Sequence, residues 1–154
     1  MNQPGMKPLE LTFSLVTEAE APPEIASDDL EGLARRMLVA EGAVGCWDVT
    51  VALVDDKRLQ TLHRDFMGID SPTDIMTFPA DDGDGECRGG ELVISVDHAR
   101  TQADAWRLTP AEEIRFLVVH GLLHLLGWRD DTDAERERML ERQQALFDRS
   151  RGAG

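Results

Sequence analysis

The chain has 154 residues, of which 42% are hydrophobic and 30% charged, enough for one domain with its own core. Its formal net charge of −14 disfavours nucleic-acid binding through broad phosphate contact, so any contact with RNA must be local. The sequence begins without a signal-peptide pattern and its longest apolar run is too short for a bilayer, so we expect a cytoplasmic protein without membrane insertion.

The first half of the chain alternates between strand and helix patterns. Residues 1–8 are predicted to be a disordered tail, and Leu9 to Thr17 a first strand. Ser27 is predicted to cap a helix that ends near Gly42. Trp47 to Leu53 alternates like a half-buried strand, with Ala52 on its polar side.

A short helix is predicted next, roughly from Asp56 to Asp65, with an apolar side that includes Phe66. His63 lies beside that side, and it is either a structural histidine or a group close to the substrate. Met67 to Pro72 is predicted to be a turn.

The second half continues with two more strands, Thr73 to Phe78 and Glu91 to Val96, separated by a loop from Ala80 to Gly90. We expect the Asp74 carboxylate to order its loop by hydrogen bonds to backbone amides, rather than to take part in catalysis. A helix from His98 to about Trp106 follows.

That helix has a packed side to which we assign Ala99, Ala103 and Trp106. A last helix begins with the capping-box pattern Thr132-x-x-Glu135, and its apolar stripe includes Leu140. Strands and helices that interleave with both hairpin and crossover spacings predict the α+β class, with a small mixed sheet of about four strands packed against helices. Residues 9–150 are predicted to form a single domain.

The two cysteines, Cys46 and Cys87, lie far apart in the sequence and have no second ligand pair nearby. In a reducing cytosol such residues are usually free thiols. We therefore predict two free thiols in preference to a disulfide.

The most distinctive segment is the apolar stretch that contains His120-Gly121-Leu122-Leu123-His124. Thr109 is predicted to be the N-cap of its helix, Pro110 the first helical residue and Glu112 the capping-box partner. Almost every position from Ile114 to Leu126 is apolar, so we expect this helix to be buried on most sides.

Two histidines in such a helix indicate a metal site. His120 and His124 project from the same side one turn apart, so that two ring nitrogens can bind one ion. Gly127 can take a left-handed conformation and return the chain, which makes Asp130 a candidate third ligand. Three protein ligands with an open position are typical of catalytic zinc, and the alternative is two core histidines without a metal. A zinc peptidase of the His-Glu-x-x-His type is disfavoured, because Gly121 occupies the position of its general base.

Three segments, Leu62–Pro79, Gly90–Ser95 and His120–Gly127, together resemble the YbeY family of bacterial single-strand-specific endoribonucleases and ribosomal RNA maturation factors. The first is similar to a family block with Tyr-Arg-Gly, Pro-Thr-Asp and Phe-Pro. The last matches His-Gly-x-Leu-His-Leu-x-Gly. The resemblance implies a compact four-stranded sheet with a buried, zincin-like metal helix and an open coordination position in a cleft.

Three positions depart from the family pattern. Asp130 replaces the third metal-binding histidine, His63 replaces an asparagine, and Met67 replaces an arginine that the family appears to use in catalysis. A carboxylate can bind zinc, although it makes the site harder and can admit other divalent ions. Met67 cannot contact a phosphate by charge, and Arg64 and Arg129 are the nearest cations in sequence.

We therefore expect a Zn²⁺-dependent endoribonuclease with His120, His124 and Asp130 as ligands, while Asp131 stays open as the alternative carboxylate. The general acid and base cannot be assigned from the sequence. The resemblance implies single-stranded RNA near the maturing end of small-subunit ribosomal RNA, and ribosome-assembly factors, as partners. Two alternatives remain: an assembly or RNA-chaperone factor with little nuclease activity, and a hydrolase of another small ester or amide.

Overall fold

A computed structural model describes residues 8–71, 73–80 and 87–152. It contains four strands and five helices, in agreement with the predicted α+β class. In chain order they are β1 (Leu9–Thr17), α1 (Ser27–Ala40), β2 (Gly45–Val54), α2 (Asp56–Met67), β3 (Ile75–Pro79), β4 (Arg88–Ser95), α3 (Val96–Trp106), α4 (Pro110–Leu125) and α5 (Asp133–Gly152).

Three parts of the predicted outline lie outside the described residues. They are residues 1–7 of the tail, Pro72 of the turn and residues 81–86 of the loop. The single domain over residues 9–150 stays a prediction.

The sheet has the strand order β1-β2-β4-β3. β1, β2 and β4 are parallel, and β3 is antiparallel to β4. Parallel neighbours need crossover connections, which α1 provides between β1 and β2. Since β3 is last in the strand order, it is an edge strand. It lies beside the C-terminal end of α4, at the candidate site.

Both faces of the sheet are covered by helices. One face of β2 places Val49 and Leu53 in the main core, which also contains side chains of α1 and α4. On the other face, Leu59 of α2 packs near Ala52 and Val54 in a smaller cluster. The prediction that Ala52 lies on a polar side is therefore wrong, because α2 covers the second face.

Helix α4 is the central helix of the molecule, in contact with α1, α3, α5, β3 and β4. Its N-terminus has the predicted capping box, in which Thr109 and Glu112 each accept a hydrogen bond from the other's backbone amide. A Cβ atom on Gly121 would lie 2.6 Å from a methyl group of Leu92 in β4. Gly121 thus permits the close approach of the histidine-bearing turn to the sheet.

Several predicted helix and strand starts differ from the structure. The N-cap of α1 is Ala26, so Ser27 is the first helical residue and its predicted capping role is wrong. α3 begins at Val96, two residues before His98, and Ser95 caps it by accepting a hydrogen bond from the His98 amide. β3 begins at Ile75, which pairs with Ile94, and β4 begins at Arg88, which pairs with Trp47 of β2.

Three apolar residues predicted to face inward are exposed: Phe66 by 67%, Trp106 by 69% and Leu140 by 56%. Phe66 and Trp106 occupy the final turns of α2 and α3, and Leu140 lies on α5. All three line cavities that are described below.

The prediction of two free thiols is wrong, since Cys46 and Cys87 form a disulfide with their Cα atoms 4.7 Å apart. The cause is the register of β2 and β4, in which Trp47 pairs with Arg88. That pairing brings the preceding residues, 41 positions apart in sequence, side by side. None of the described helices combines the length and apolar character that a bilayer crossing requires.

Candidate metal centre

The last turns of α4 and the loop that follows bring three ligand-type side chains together. The Nε2 atoms of His120 and His124 are 3.2 Å apart, and Nε2 of His124 is 3.3 Å from the Asp130 carboxylate. One ligand atom from each residue lies within 4.8 Å of the others. Gly127, with φ of 101°, takes the predicted left-handed conformation and returns the chain. The Trp128 amide then donates to the Leu123 carbonyl at 3.0 Å.

Hydrogen bonds to the Nδ1 atoms fix the tautomer of both histidines. Nδ1 of His120 is 3.0 Å from Oε1 of Gln143, whose amide nitrogen donates to the Phe116 carbonyl. Nδ1 of His124 is 3.1 Å from the Trp128 carbonyl. Both partners are acceptors, so each Nδ1 must donate and each Nε2 presents a lone pair to the cluster.

The cluster therefore has the donor set of a divalent metal site. Two imidazole lone pairs and a carboxylate face one another at 3.2–3.3 Å, an arrangement that repels unless a cation or a proton lies between them. Burial is the main cause that lowers the pKa of His120, which favours the neutral, metal-binding form. Hydrogen bonds that orient a ligand's outer nitrogen are typical of histidines that bind metals.

Asp131, the alternative carboxylate, points elsewhere. It accepts two hydrogen bonds from the Arg129 guanidinium, the shorter at 2.6 Å, and these bonds raise the pKa of Arg129. Arg136 donates to the backbone carbonyls of Asp130 and Asp131 at 3.1 and 3.4 Å, which holds the loop against α5. Asp130 is thus the carboxylate of this loop that reaches the histidines.

Two cavities meet at the cluster. The first, of about 320 Å³, lies among α3, α4 and α5, and we call it the helix-side cavity. The second, of about 630 Å³, lies against β3 and the end of α2, and we call it the strand-side cavity. Asp74, His120 and Asp130 line both, so a bound ion would be accessible from two directions.

The strand-side cavity contains the two departures noted in the upstream block. His63 lines it, with Nδ1 2.9 Å from the Ser71 carbonyl, and Met67, a residue that is 62% exposed, also lines it. The suggested substitutes for the family's arginine do not line either cavity. Arg64 pairs with Asp65, and Arg129 pairs with Asp131.

Sequence reasoning missed the roles of two groups in the helix-side cavity, Gln143 and Glu113. Gln143 orients His120 by a hydrogen bond from another helix, and Arg136 lines the same cavity as Asp130. Glu113 lies two turns before His120 on the same side of α4, and only the helical spacing could have indicated it. Burial, and secondarily the charge of Asp74, raises the Glu113 pKa to about 7.

The proposed role of Asp74 in ordering its loop is not supported by a side-chain hydrogen bond within the part of the chain that the structure describes. Its backbone carbonyl accepts from the Ser95 amide at 3.0 Å, while its side chain lines both cavities. The Asp74 charge raises the pKa values of both Glu113 and His120, although burial has the larger, opposing effect on His120.

Comparisons with known proteins agree with the resemblance described above. The sequence model of the family "Endoribonuclease YbeY" matches residues 16–151. The Endoribonuclease YbeY of Bacillus licheniformis is 31% identical over 151 residues, which cover 92% of this chain and 96% of that protein. The Endoribonuclease YbeY of Moorella thermoacetica is 38% identical over 118 residues, covering 70% of this chain and 76% of that protein.

A solved structure has the same fold. The solution structure of TM1509 from Thermotoga maritima superposes with a TM-score of 0.63 at 26% sequence identity. The superposition covers 92% of this chain and 91% of the Thermotoga protein. The similarity therefore extends across the sheet and the helices rather than being limited to the histidine motif.

Proposed function

The chain belongs to the YbeY endoribonuclease family, and from this premise we propose that it is a metal-dependent endoribonuclease that cleaves single-stranded RNA. The observation that supports this best is the convergence of His120, His124 and Asp130 at the junction of two cavities. A substrate strand could thus enter along one cavity and leave along the other. The cavities, of about 320 and 630 Å³, are of the size of small-ligand sites, which supports a single strand as the substrate.

In the proposed reaction, His120, His124 and Asp130 hold a divalent ion, for which zinc best fits two imidazoles and one carboxylate. Such an ion lowers the pKa of a bound water and polarises a phosphoryl oxygen. Gln143 and the Trp128 carbonyl keep the two imidazoles in the tautomer that binds. Arg136 offsets part of the acidic charge around the cluster, where the RNA backbone must approach.

Glu113 is a further titratable group of the helix-side cavity, which it lines together with His120. It lies seven residues before His120, a rise of roughly 10 Å along the helix, and no role in the reaction is assigned to it. Its pKa, raised to about 7 mainly by burial, makes the stability of the fold depend on pH.

We further propose that the substrate is ribosomal RNA, near the maturing end of the small-subunit molecule, and that the protein acts in the cytoplasm with the ribosome or its assembly factors. The Cys46–Cys87 disulfide is unusual for a reducing compartment. Alkylating thiols in intact cells before lysis tests the location, because a cytoplasmic protein is expected to have largely reduced cysteines.

A second candidate function is an RNA-binding assembly factor with a bound metal and little nuclease activity. Met67 favours it, since an exposed thioether lines the strand-side cavity where the family pattern has an arginine. A phosphate there would lack the bidentate charge-assisted contact that a guanidinium provides.

The test uses purified protein on single-stranded RNA, with and without a chelator, beside a His120→Ala variant. We expect cleavage that stops with the chelator, returns with added Zn²⁺ and is absent in the variant. Cleavage that persists equally in the variant would indicate a contaminant and contradict the proposal. Stoichiometric metal and RNA binding without cleavage would favour the assembly role, and Met67→Arg would then be expected to raise cleavage.

A further inference from the structure

Trp106 has the largest exposed fraction, 69%, of any large apolar side chain in the described residues. It is the last residue of α3, and Arg107 after it is in the left-handed conformation with φ of 56°. The helix end thus fixes the Trp106 backbone, although its indole is not covered. An exposed tryptophan held on a rigid element is suited to contact a ligand.

The position of this indole relates it to the candidate site. Trp106 lines the helix-side cavity together with His120 and Asp130. A neighbouring apolar recess of about 290 Å³ shares Trp106, Phe116 and Leu140 with it. Phe116 is held edge-on against Phe147, with ring centroids 5.2 Å apart. Trp106, Phe116 and Leu140 thus form an apolar surface shared by this recess and the helix-side cavity, which His120 and Asp130 also line.

The charges around this surface favour an uncharged planar group over a phosphate. Asp74, Glu113 and Asp130 line the helix-side cavity, and Arg136 is the one arginine or lysine among its described lining residues. The whole chain has a net charge of −14, which further weakens contact with a phosphate backbone. Stacking of a base on an aromatic side chain does not depend on net charge, and every base has a face that can stack.

A polar group is also placed to contact the edge of such a base. Gln102 precedes Trp106 by one turn of α3 and lines the same cavity. Its amide can both donate and accept hydrogen bonds, as base edges require. The cavity volume of about 320 Å³ is at the lower end of the range for small-ligand sites, in keeping with a single nucleoside.

We propose that the helix-side cavity is a nucleobase subsite, in which the Trp106 indole stacks on a base of single-stranded RNA adjacent to the phosphate at the metal cluster. This inference rests on the proposed function for the position of that phosphate. It assigns affinity to base stacking near the cluster, and so explains how an acidic protein can hold RNA locally.

Binding is tested by tryptophan fluorescence with single-stranded oligoadenylate in the presence of chelator, so that no cleavage occurs. Trp47 is fully buried and Trp128 is half-buried, so a ligand in the cavity acts mainly on Trp106. We expect saturable quenching that is lost in Trp106→Phe, while the Phe variant still binds the oligonucleotide by an anisotropy assay. Quenching that is equal with an RNA duplex, or absent although the strand binds, would overturn the subsite.

The contribution of Trp106 to the reaction is tested by measuring kcat/KM. Trp106→Ala should lower this value roughly 5- to 150-fold, the equivalent of one lost stack, and Trp106→Phe should restore most of it. Substrates with one abasic nucleotide at each position in turn should identify a position where wild type loses the same factor and Trp106→Ala loses nothing more. Val39→Ala, exposed by 59% on α1 outside both cavities, is the matched control.

The two proposals fail in different ways. If the strand quenches Trp106 but is never cleaved, the endoribonuclease function is contradicted and the nucleobase subsite stands. If cleavage occurs and the abasic scan is the same for wild type and Trp106→Ala, the subsite is overturned and the nuclease function stands. Metal content and the thermal midpoint of each variant, which a stacking role leaves unchanged, exclude damage to the fold.

Discussion

Two pairs of side chains in this molecule are brought together in different ways. His120 and His124 are four residues apart on α4, and the helix alone places their rings on one side. Cys46 and Cys87 are 41 residues apart and meet because β2 and β4 pair in parallel. The histidine pair thus depends on local geometry, whereas the cysteine pair depends on the whole sheet and in return closes a long loop.

The largest effect on stability is predicted for removal of the cysteine pair. A cross-link over 41 residues lowers the entropy of the unfolded chain, so Cys46→Ser with Cys87→Ser should lower the free energy of unfolding by about 4 kcal/mol. Urea unfolding of the oxidised protein and of the double variant measures this difference. Each single variant, and wild type with a reductant, should give the same loss, because each removes the same bond.

The zinc affinity of the cysteine variants tests whether the histidine pair is independent of the disulfide. Because α4 fixes the histidine pair independently of the strands, the cysteine variants should bind Zn²⁺ with unchanged affinity below their unfolding transition. A parallel loss of zinc affinity would contradict the division into a local and a non-local pair. It would mean that the register of β2 and β4 also determines the position of α4.

The same difference explains what could be predicted from the sequence. The capping box at Thr109, the histidine spacing and the left-handed Gly127 are set by residues within a few positions of one another, and the structure contains all three. Such features follow from helical geometry and backbone preferences alone. The mixed sheet of four strands and its α+β class were predicted from the same local periodicities.

The features that sequence reasoning missed are non-local. The disulfide follows from strand register, and the orientation of His120 follows from Gln143, 23 residues away on another helix. Burial of Ala52 required knowing that α2 covers the second face of the sheet. Trp106 was predicted to pack because its spacing matches Ala99 and Ala103, yet α3 ends there and the indole extends into a cavity.

A second prediction concerns Glu113, a buried carboxyl group in the histidine-bearing helix that lowers stability at high pH. The disulfide has no such titrating group. The Glu113 pKa is raised from 4.5 to about 7, so the folded state holds this proton more tightly than the unfolded state. Its contribution to stability is therefore present below pH 4.5 and is lost as the pH rises through 7. The loss at pH 9 is about 3 kcal/mol, from the size of the pKa shift.

Glu113→Gln removes that titration while keeping the shape of the side chain. The variant should match wild type at pH 4.5 and be more stable by up to about 3 kcal/mol at pH 9, in urea unfolding of the metal-free protein. Differences between the two proteins cancel the titration of groups that they share. An equal difference at both pH values would contradict the assignment to the Glu113 carboxyl.

The smallest effect is predicted for the loop after α4, which adds a carboxylate to the histidine pair. Substitutions in this loop distinguish the contributions of two adjacent carboxylates to zinc binding. Asp130 is 3.3 Å from Nε2 of His124, while Asp131 is held by Arg129 at 2.6 Å. Asp130→Ala should therefore weaken zinc binding at least about 100-fold, or roughly 2.7 kcal/mol, as for the loss of a ligand or its support. Asp131→Ala, the matched control, should change it less than about 3-fold, since the Asp131 carboxylate is paired with Arg129 in an exposed position away from the histidines.

Competition with a zinc-binding dye measures both constants without reference to any RNA substrate. Asp130→His adds a further comparison, because it restores an imidazole where the family pattern has one, and it should bind zinc at least as tightly as wild type. Its preference for zinc over Mg²⁺ or Mn²⁺ should increase, since imidazole is a softer ligand than carboxylate. If Asp131→Ala instead lost the metal, the loop would have to rotate on binding. In that case the helix alone, and not the loop, would be preformed for the ion.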